Sequence, residues 1–256
     1  MKLKDKLRNR QFTVGTWLTI SSPEISDIVS KTGVDWITLD MEHSPLDMQN
    51  IAECIRIIEL NNIPSFVRMT SNDENDIKRA LDAGASGIIV PMVNSAQDVK
   101  KIVDSVYYPP KGRRGVGLSR AQEYGAPGGF ARYRQKLEEE ISIVVIIENI
   151  KAIENLDEIF SIPEVDAFIL GPYDLSASLG IPGELEHEKM LSIIEKVAQK
   201  ADDHNLAGGL HIVEPDPEIM KKYTKMGFRF FAYSVDFRII DHHYREGISK
   251  IKEANL

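Results

Sequence analysis

Short, nearly continuous apolar runs alternate along this chain with amphipathic stretches of helical period. The runs Thr13–Leu18, Trp36–Asp40, Ser65–Met69, Gly87–Pro91, Ile143–Glu148, Ala167–Leu170, Ala207–His211 and Phe228–Ser234 are short and mostly apolar, several of them rich in β-branched residues. Runs of this kind mark strands buried on both faces, as in a parallel sheet. Between them lie helix-like segments over Pro23–Thr32, Asp47–Asn61, Glu74–Ala83, Ser95–Val106 and Met190–His204, and a last one over Phe237–Asn255. Helix starts are signalled at Ser22-Pro23, at Asn72 before Asp73-Glu74, and at Asn94-Ser95. Gly33 and Gly84 stand where helix C-caps belong. The alternation predicts a parallel sheet, and eight units favour a closed barrel over an open doubly wound sheet.

Length supports the barrel: 256 residues is close to the roughly 250 of an eight-fold α/β barrel. No repeat, low-complexity segment or linker divides residues 1–256, so one domain is expected. The spacing is uneven only over Tyr107–Glu140, read here as a long loop with Pro109-Pro110 and several glycines, of the kind that covers a site. With 43% hydrophobic and 27% charged residues, the composition is that of a soluble globular protein. A net charge of −8 argues against a nucleic-acid partner, which calls for a basic face. Cys54 is the single cysteine, which excludes an intrachain disulfide and a cysteine metal cluster. It falls on an apolar stripe with Ile51, Ile55 and Ile58, where packing is its simplest role. Met1–Gln11 is charged and lacks the apolar segment of a secretory signal, and no run is long enough for a membrane span. A small-molecule partner and a cytoplasmic location are therefore expected.

The chemistry concentrates where strands end. Ser142–Asn149 reads S-I-V-V-I-I-E-N and Ala167–Asp174 reads A-F-I-L-G-P-Y-D. Glu148 and Asp174 are separated by about one strand-plus-helix unit, so their strands are expected to be neighbours, roughly 4.8 Å apart. Two carboxylates at one open end of a buried sheet suit a hard divalent cation. A barrel places its active site at the C-terminal strand ends. There the chain carries Trp17, Asp40-Met41-Glu42-His43, Arg68, Pro91, Glu148, Gly171-Pro172-Tyr173-Asp174, His211 and Asp236. A cation site, a histidine base and an arginine form a kit for polarising an oxo acid, anchoring its carboxylate and moving a proton. No lysine ends a strand, so a Schiff base has no obvious nucleophile. Gly112-Arg113-Arg114-Gly115-Val116-Gly117 follows no strand and does not read as a nucleotide loop. His43 and His211 are too few for a histidine-rich zinc site. Oxygen donors favour magnesium or manganese, with cobalt or nickel able to occupy the same place. Each residue also has a purely structural reading. Glu148 and Asp174 could form a salt-bridged rim, Asp40 could cap a turn, and Arg68 could pair with Asp40 or Glu42. His43 could be a surface or capping residue, and Asp82 a solvated helix end.

Six segments in register resemble a known family. They are Asp40-Met41-Glu42-His43-Ser44-Pro45, Val67-Arg68, Val90-Pro91-Met92-Val93, Tyr108 through Gly117, Ile147-Glu148, and Gly171-Pro172-Tyr173-Asp174-Leu175-Ser176. Together they are similar to the metal-dependent (class II) pyruvate aldolases of the HpcH/HpaI type, over nearly the whole chain. The resemblance implies a (β/α)8 TIM barrel of the phosphoenolpyruvate/pyruvate-domain type. It further implies a final helix swapped between subunits, commonly in hexamers built as trimers of dimers. It implies an enzyme that reversibly cleaves a 4-hydroxy-2-oxo acid, such as a 2-keto-3-deoxy sugar acid, to pyruvate and an aldehyde. By the same resemblance Glu148 and Asp174 hold the divalent cation, Mg²⁺ or Mn²⁺ with Co²⁺ as a substitute. Arg68 neutralises the developing enolate, and Gly171, Pro172, Tyr173 and Trp17 border the oxo acid. His43 is the base at the substrate hydroxyl, and Asp40 and Asp82 match positions that support that histidine or its water. Two departures stand out. Ile146 replaces a usual glutamine, and Tyr173 replaces a usual alanine or serine. A related metal–enolate lyase, such as an oxaloacetate decarboxylase, and a non-catalytic oxo-acid-binding barrel are the competing readings.

Overall fold

Burial of the apolar runs on both faces decides the architecture. In the computed structural model, which describes residues 1–254, the elements in chain order are α1 (Leu3–Arg8), β1 (Thr13–Leu18), α2 (Pro23–Ser30), β2 (Trp36–Asp40), α3 (Met48–Leu60), β3 (Ser65–Arg68), α4 (Glu74–Ala83), β4 (Gly87–Val90) and α5 (Ala96–Val106). A 3₁₀ turn (Arg120–Gly125) and α6 (Gly129–Glu139) lead to β5 (Ser142–Ile147), α7 (Ile150–Glu154), α8 (Leu156–Phe160), β6 (Val165–Leu170) and α9 (Pro172–Ser178). The chain finishes with α10 (Glu188–Asp203), β7 (Ala207–Ile212), α11 (Pro217–Lys225), β8 (Phe230–Val235) and α12 (Asp236–Glu253). The strands close in the order β1 to β8, every neighbouring pair parallel. The expected TIM barrel is the observed fold. The expected last helix ran to Asn255, which lies outside the described residues.

Successive strand residues point to opposite faces. One set, including Ile37, Leu39, Val67, Ile143, Val145 and Ile147, packs outward beneath the helices. The other set fills the barrel with Trp17, Trp36, Phe66, Ile89, Val144, Ile146, Ile169 and Phe230. Trp36 stacks on Phe230 at 4.3 Å and meets Phe66 edge-on at 5.7 Å. Gly15 makes room for that indole, since a Cβ there would stand 2.1 Å from its ring. The N-terminal end of the barrel is closed by α1, a helix missed by the sequence reading. Its Leu3 and Leu7 join the interior cluster. Beside them Lys4 donates to the Ile141 carbonyl at 2.6 Å, and Arg8 to the buried Asp166 at 2.8 Å.

The helix-start signals hold: Ser22 accepts from the Ile25 N–H and Ser95 from the Asp98 N–H. Asp73, rather than Asn72, caps α4. Gly84 ends α4 in the left-handed conformation at φ 108°. Gly33, however, lies beyond the Lys31 cap of α2, in the turn that follows. The supposed loop over Tyr107–Glu140 is largely structured, because Phe130, Tyr133 and Leu137 give α6 a narrow apolar stripe over the core.

Candidate active site

Two residues beyond an interior apolar side chain, several strands deliver a polar group to the same end of the barrel. Phe66 is followed by Arg68 and Val144-x-Ile146 by Glu148. A cavity of about 340 Å³ opens there. Trp17, Asp40, His43, Arg68, Glu148, Gly171, Pro172, Tyr173 and Asp174 all line it, with Ile146, Ile169, His211, Val213 and Val235 forming much of the remainder. Asp40 and Arg68 sit opposite one another in the β2–β3 register. Arg68 therefore grips Asp40 through Nε at 2.9 Å and Nη2 at 3.1 Å, while Nη1 reaches Glu42 at 3.1 Å. The guanidinium lies over the Trp17 ring at 4.4 Å. Its five-donor fork leaves N–H groups on both terminal nitrogens free for a ligand. Asp40 also accepts the backbone N–H groups of Glu42 and His43, at 2.9 and 3.2 Å. That turn carries the His43 imidazole to the cavity mouth, where its side chain is 67% exposed.

Glu148 is buried at the floor, and one carboxylate oxygen accepts the Met92 N–H at 2.5 Å. Gly171 leaves the other oxygen accessible: a Cβ there would stand 3.0 Å from Oε2 and 2.8 Å from the Glu148 Cβ. Burial raises the Glu148 carboxyl above its ordinary value. The Met92 N–H and Arg68 oppose that rise, whereas the charges of Glu42 and Asp174 add to it. Glu42 is raised as well, first by burial and then by Asp40 and Asp174, against the pull of Arg68. Glu148, Glu42 and Asp174 thus press negative charge on one another, and the single guanidinium among them is committed largely to Asp40. Such a donor set fits a hard divalent cation. Among the described residues no three His, Cys, Asp or Glu side chains gather into a complete metal cage. A cation on Glu148 and Asp174 would accordingly take its other ligands from substrate and water, as magnesium-type ions commonly do.

Residues 13–242 match the HpcH/HpaI aldolase/citrate lyase family. The chain belongs to that family. It is accordingly a lyase of the aldolase type. A hydroxypyruvate/pyruvate aldolase of Sagittula stellata is 33% identical over 93% of this chain and 93% of its own. A 2-keto-3-deoxy-L-rhamnonate aldolase of Escherichia coli is 31% identical over 91% of this chain and 86% of its own. The crystal structure of an HpcH/HpaI aldolase from Desulfitobacterium hafniense superposes with a TM-score of 0.91 at 33% identity, covering 99% of this chain and 97% of that one.

Within this aldolase fold one residue expected at the site stands apart. Asp82, near the end of α4, is not among the side chains lining the cavity of a single chain. Its carboxylate accepts from the fully buried Arg114 at 2.6 Å and from Gln122 at 3.2 Å. Nor is it a solvated helix end, since its carboxylate is committed to these two donors. Glu42 and His211 are the members that sequence reasoning left without a site role. Glu42 is the second carboxylate partner of Arg68, and His211 stacks flat on Trp17 at 4.6 Å. The signal for His211 was there: it lies two residues past Gly209 on the inward-facing parity of β7. Ile146 is a buried part of the floor, and Tyr173 is exposed at the rim.

Proposed function

We propose that the protein is a divalent-metal-dependent aldolase that reversibly splits a 4-hydroxy-2-oxo acid into pyruvate, or a close 2-oxo acid, and an aldehyde. The observation that carries this reading is the convergence of His43, Arg68, Glu148 and Asp174 on one cavity at the C-terminal end of the barrel. A cation held by Glu148 and Asp174, Mg²⁺ or Mn²⁺ with Co²⁺ as a substitute, supplies Lewis-acid stabilisation of the charge that develops on the oxo oxygen. The free N–H groups of Arg68 orient the oxo acid and favour the same charge in the transition state. Gly171 and Pro172 keep the backbone close to Glu148, and Trp17 holds the guanidinium flat. His43 takes the proton from the 4-hydroxyl, directly or through a water. The C3–C4 bond then breaks, the aldehyde departs, and the electron pair remains on the oxo-acid fragment as its enolate. Return of that proton to C3, from His43 or through the same water, gives the product. Asp40 supports this by fixing both the His43 turn and the Arg68 fork. Asp82 acts on the site, if a second subunit brings it there, from outside the single-chain cavity.

A homo-oligomer belongs to the same proposal. The last helix, α12, presents Phe237, Ile240, Ile248 and Ile251 to solvent, each more than 40% exposed. An apolar cavity of about 570 Å³ opens beside it, bordered by Ile25, Ile28, Val29, Ile239 and Ile240. Both features suit exchange of the helix with a second copy, and light scattering should give a hexamer; a monomer at micromolar concentration would refute this part. Among the described residues no helix is long and apolar enough to cross a membrane, and a cytoplasmic enzyme is the proposed setting. The decisive assay follows pyruvate release from a panel of 4-hydroxy-2-oxo acids, with oxaloacetate included. Release abolished by EDTA and restored by Mg²⁺, Mn²⁺ or Co²⁺ is the expected result. Turnover of oxaloacetate alone would favour a decarboxylase, and no turnover of any member would leave a binding barrel.

A further inference from the structure

The proposed reaction gives every charged group in the cavity a task and leaves His211 without one. His211 is the middle of no ion pair. Its ring lies parallel to Trp17, 8° between planes, on the indole that also carries Arg68. Its Nε2 stands 3.0 Å from the Ser234 carbonyl oxygen. A carbonyl can only accept, so Nε2 bears the proton and Nδ1 keeps a lone pair. The carbonyl itself is fixed: Ser234 sits at φ 54°, its hydroxyl donates to the Val213 carbonyl at 2.8 Å, and the Thr16 hydroxyl approaches the same oxygen at 3.4 Å. Nδ1 has no partner among the described residues and is not among the side-chain atoms sealed from solvent. It opens on the cavity that His211 lines. Burial lowers the imidazole to about 4, with Arg68 adding to the fall and the Ser234 carbonyl opposing it. The ring is neutral at pH 7.

The cavity onto which Nδ1 opens is lined in part by the apolar Ile146, Ile169, Val213 and Val235. The proposed reaction assigns the carboxylate and oxo oxygens of the oxo acid to Arg68 and to the cation held by Glu148 and Asp174. The substituent on C3 is then directed to the apolar wall and its one neutral acceptor. A methyl group leaves Nδ1 without a donor, whereas a hydroxyl satisfies it.

We propose that His211 is a specificity-determining residue whose Nδ1 accepts a hydrogen bond from a hydroxyl on C3 of the oxo-acid fragment, tuning the site to 3-hydroxy-2-oxo acids. This rests on the aldolase reading above, and the test separates the two. Hydroxypyruvate, pyruvate and 2-oxobutanoate are offered to the metal-replete enzyme with one aldehyde, and kcat/KM for each donor is measured. In 2-oxobutanoate a methyl replaces the hydroxyl of hydroxypyruvate at similar volume. The expected preference for hydroxypyruvate over 2-oxobutanoate is about 10-fold or more, since a site that bonds a hydroxyl discriminates against its absence. In His211→Phe, which keeps a flat ring on Trp17 and removes the acceptor, that ratio should fall toward one. Equal use of the two donors by the native enzyme overturns the proposal, and so does an unchanged ratio in a folded variant. The native comparison decides by itself if the variant does not fold. A native enzyme inert toward all three donors overturns the aldolase reading and this inference with it.

Discussion

Gly171→Ala tests whether Glu148 must stand where it does. Gly171 has φ −97° and ψ 87°, so alanine meets no backbone penalty and the whole effect is steric. The added Cβ would lie 2.8 Å from the Glu148 Cβ and 3.4 Å from Cγ2 of Ile146. Ordinary carbon–carbon contact is about 3.5–4.0 Å, so on the order of 1 Å must be found. Glu148 is held by the Met92 N–H on one side and cannot rotate away without losing that bond. Either Glu148 or the β6–α9 junction shifts. Displacement of that size in a catalytic constellation costs about 10²-fold in rate, and overpacking costs about 1–3 kcal/mol in stability. Pyruvate release under saturating metal should therefore fall about 100-fold, with a modest loss in Tm and an unchanged far-UV spectrum. The metal requirement should rise in parallel, because the moved carboxylate is a proposed ligand. A folded Gly171→Ala enzyme with kcat/KM within threefold of native would refute the placement of Glu148 at the reacting centre.

Arg68→Lys keeps the charge but lacks the fork, so it cannot hold Asp40 and Glu42 together while lying on Trp17. We expect kcat/KM to drop about 10²-fold with most of the loss in kcat; an intact kcat would assign Arg68 to structure alone. His211 supplies a pH prediction. Its folded value of about 4 lies below the unfolded 6.5, so between these pH values the unfolded chain binds more protons. Stability from this group is complete well above pH 6.5 and is lost as pH falls through that window, by about 2.5 kcal/mol at pH 4.5. Urea titrations at pH 7 and 4.5 should show a smaller acid loss in His211→Phe than in the native protein. An equal loss in both would mean that the imidazole is charged in the folded state.

Much of the barrel was legible because its strands are buried on both faces, and continuous apolar runs are hard to mistake. Their ends were legible too. Thr38 is followed by Asp40, Phe66 by Arg68 and Ile146 by Glu148, each polar group two residues past an interior one. Position α6 was missed for a physical reason. Gly128 precedes it in the left-handed conformation without a side-chain cap, and its stripe is too narrow to stand out among charged neighbours. The short helices α1, α7, α8 and α9 carry too few turns for a 3.6-residue period to declare itself.

Asp82 marks the harder limit. Its position at the end of α4 was read correctly, but its environment depends on Arg114 and Gln122, which arrive from beyond α5. No local pattern announces that a buried guanidinium will claim a carboxylate from another element. Asp40 and Arg68 are also far apart in sequence, yet their pairing follows from one rule: adjacent parallel strands in register bring their last inward residues side by side. The same rule brings Glu148 beside Gly171, one step past Ile147 opposite Leu170. Strand ends of a barrel can therefore be read from parity and order alone, and contacts made by helices and loops around them cannot. His211 lies on the readable side of that line. Its parity placed it in the cavity from the start; what the sequence lacked was the Ser234 carbonyl that fixes its tautomer, and with it the acceptor that gives the residue a task.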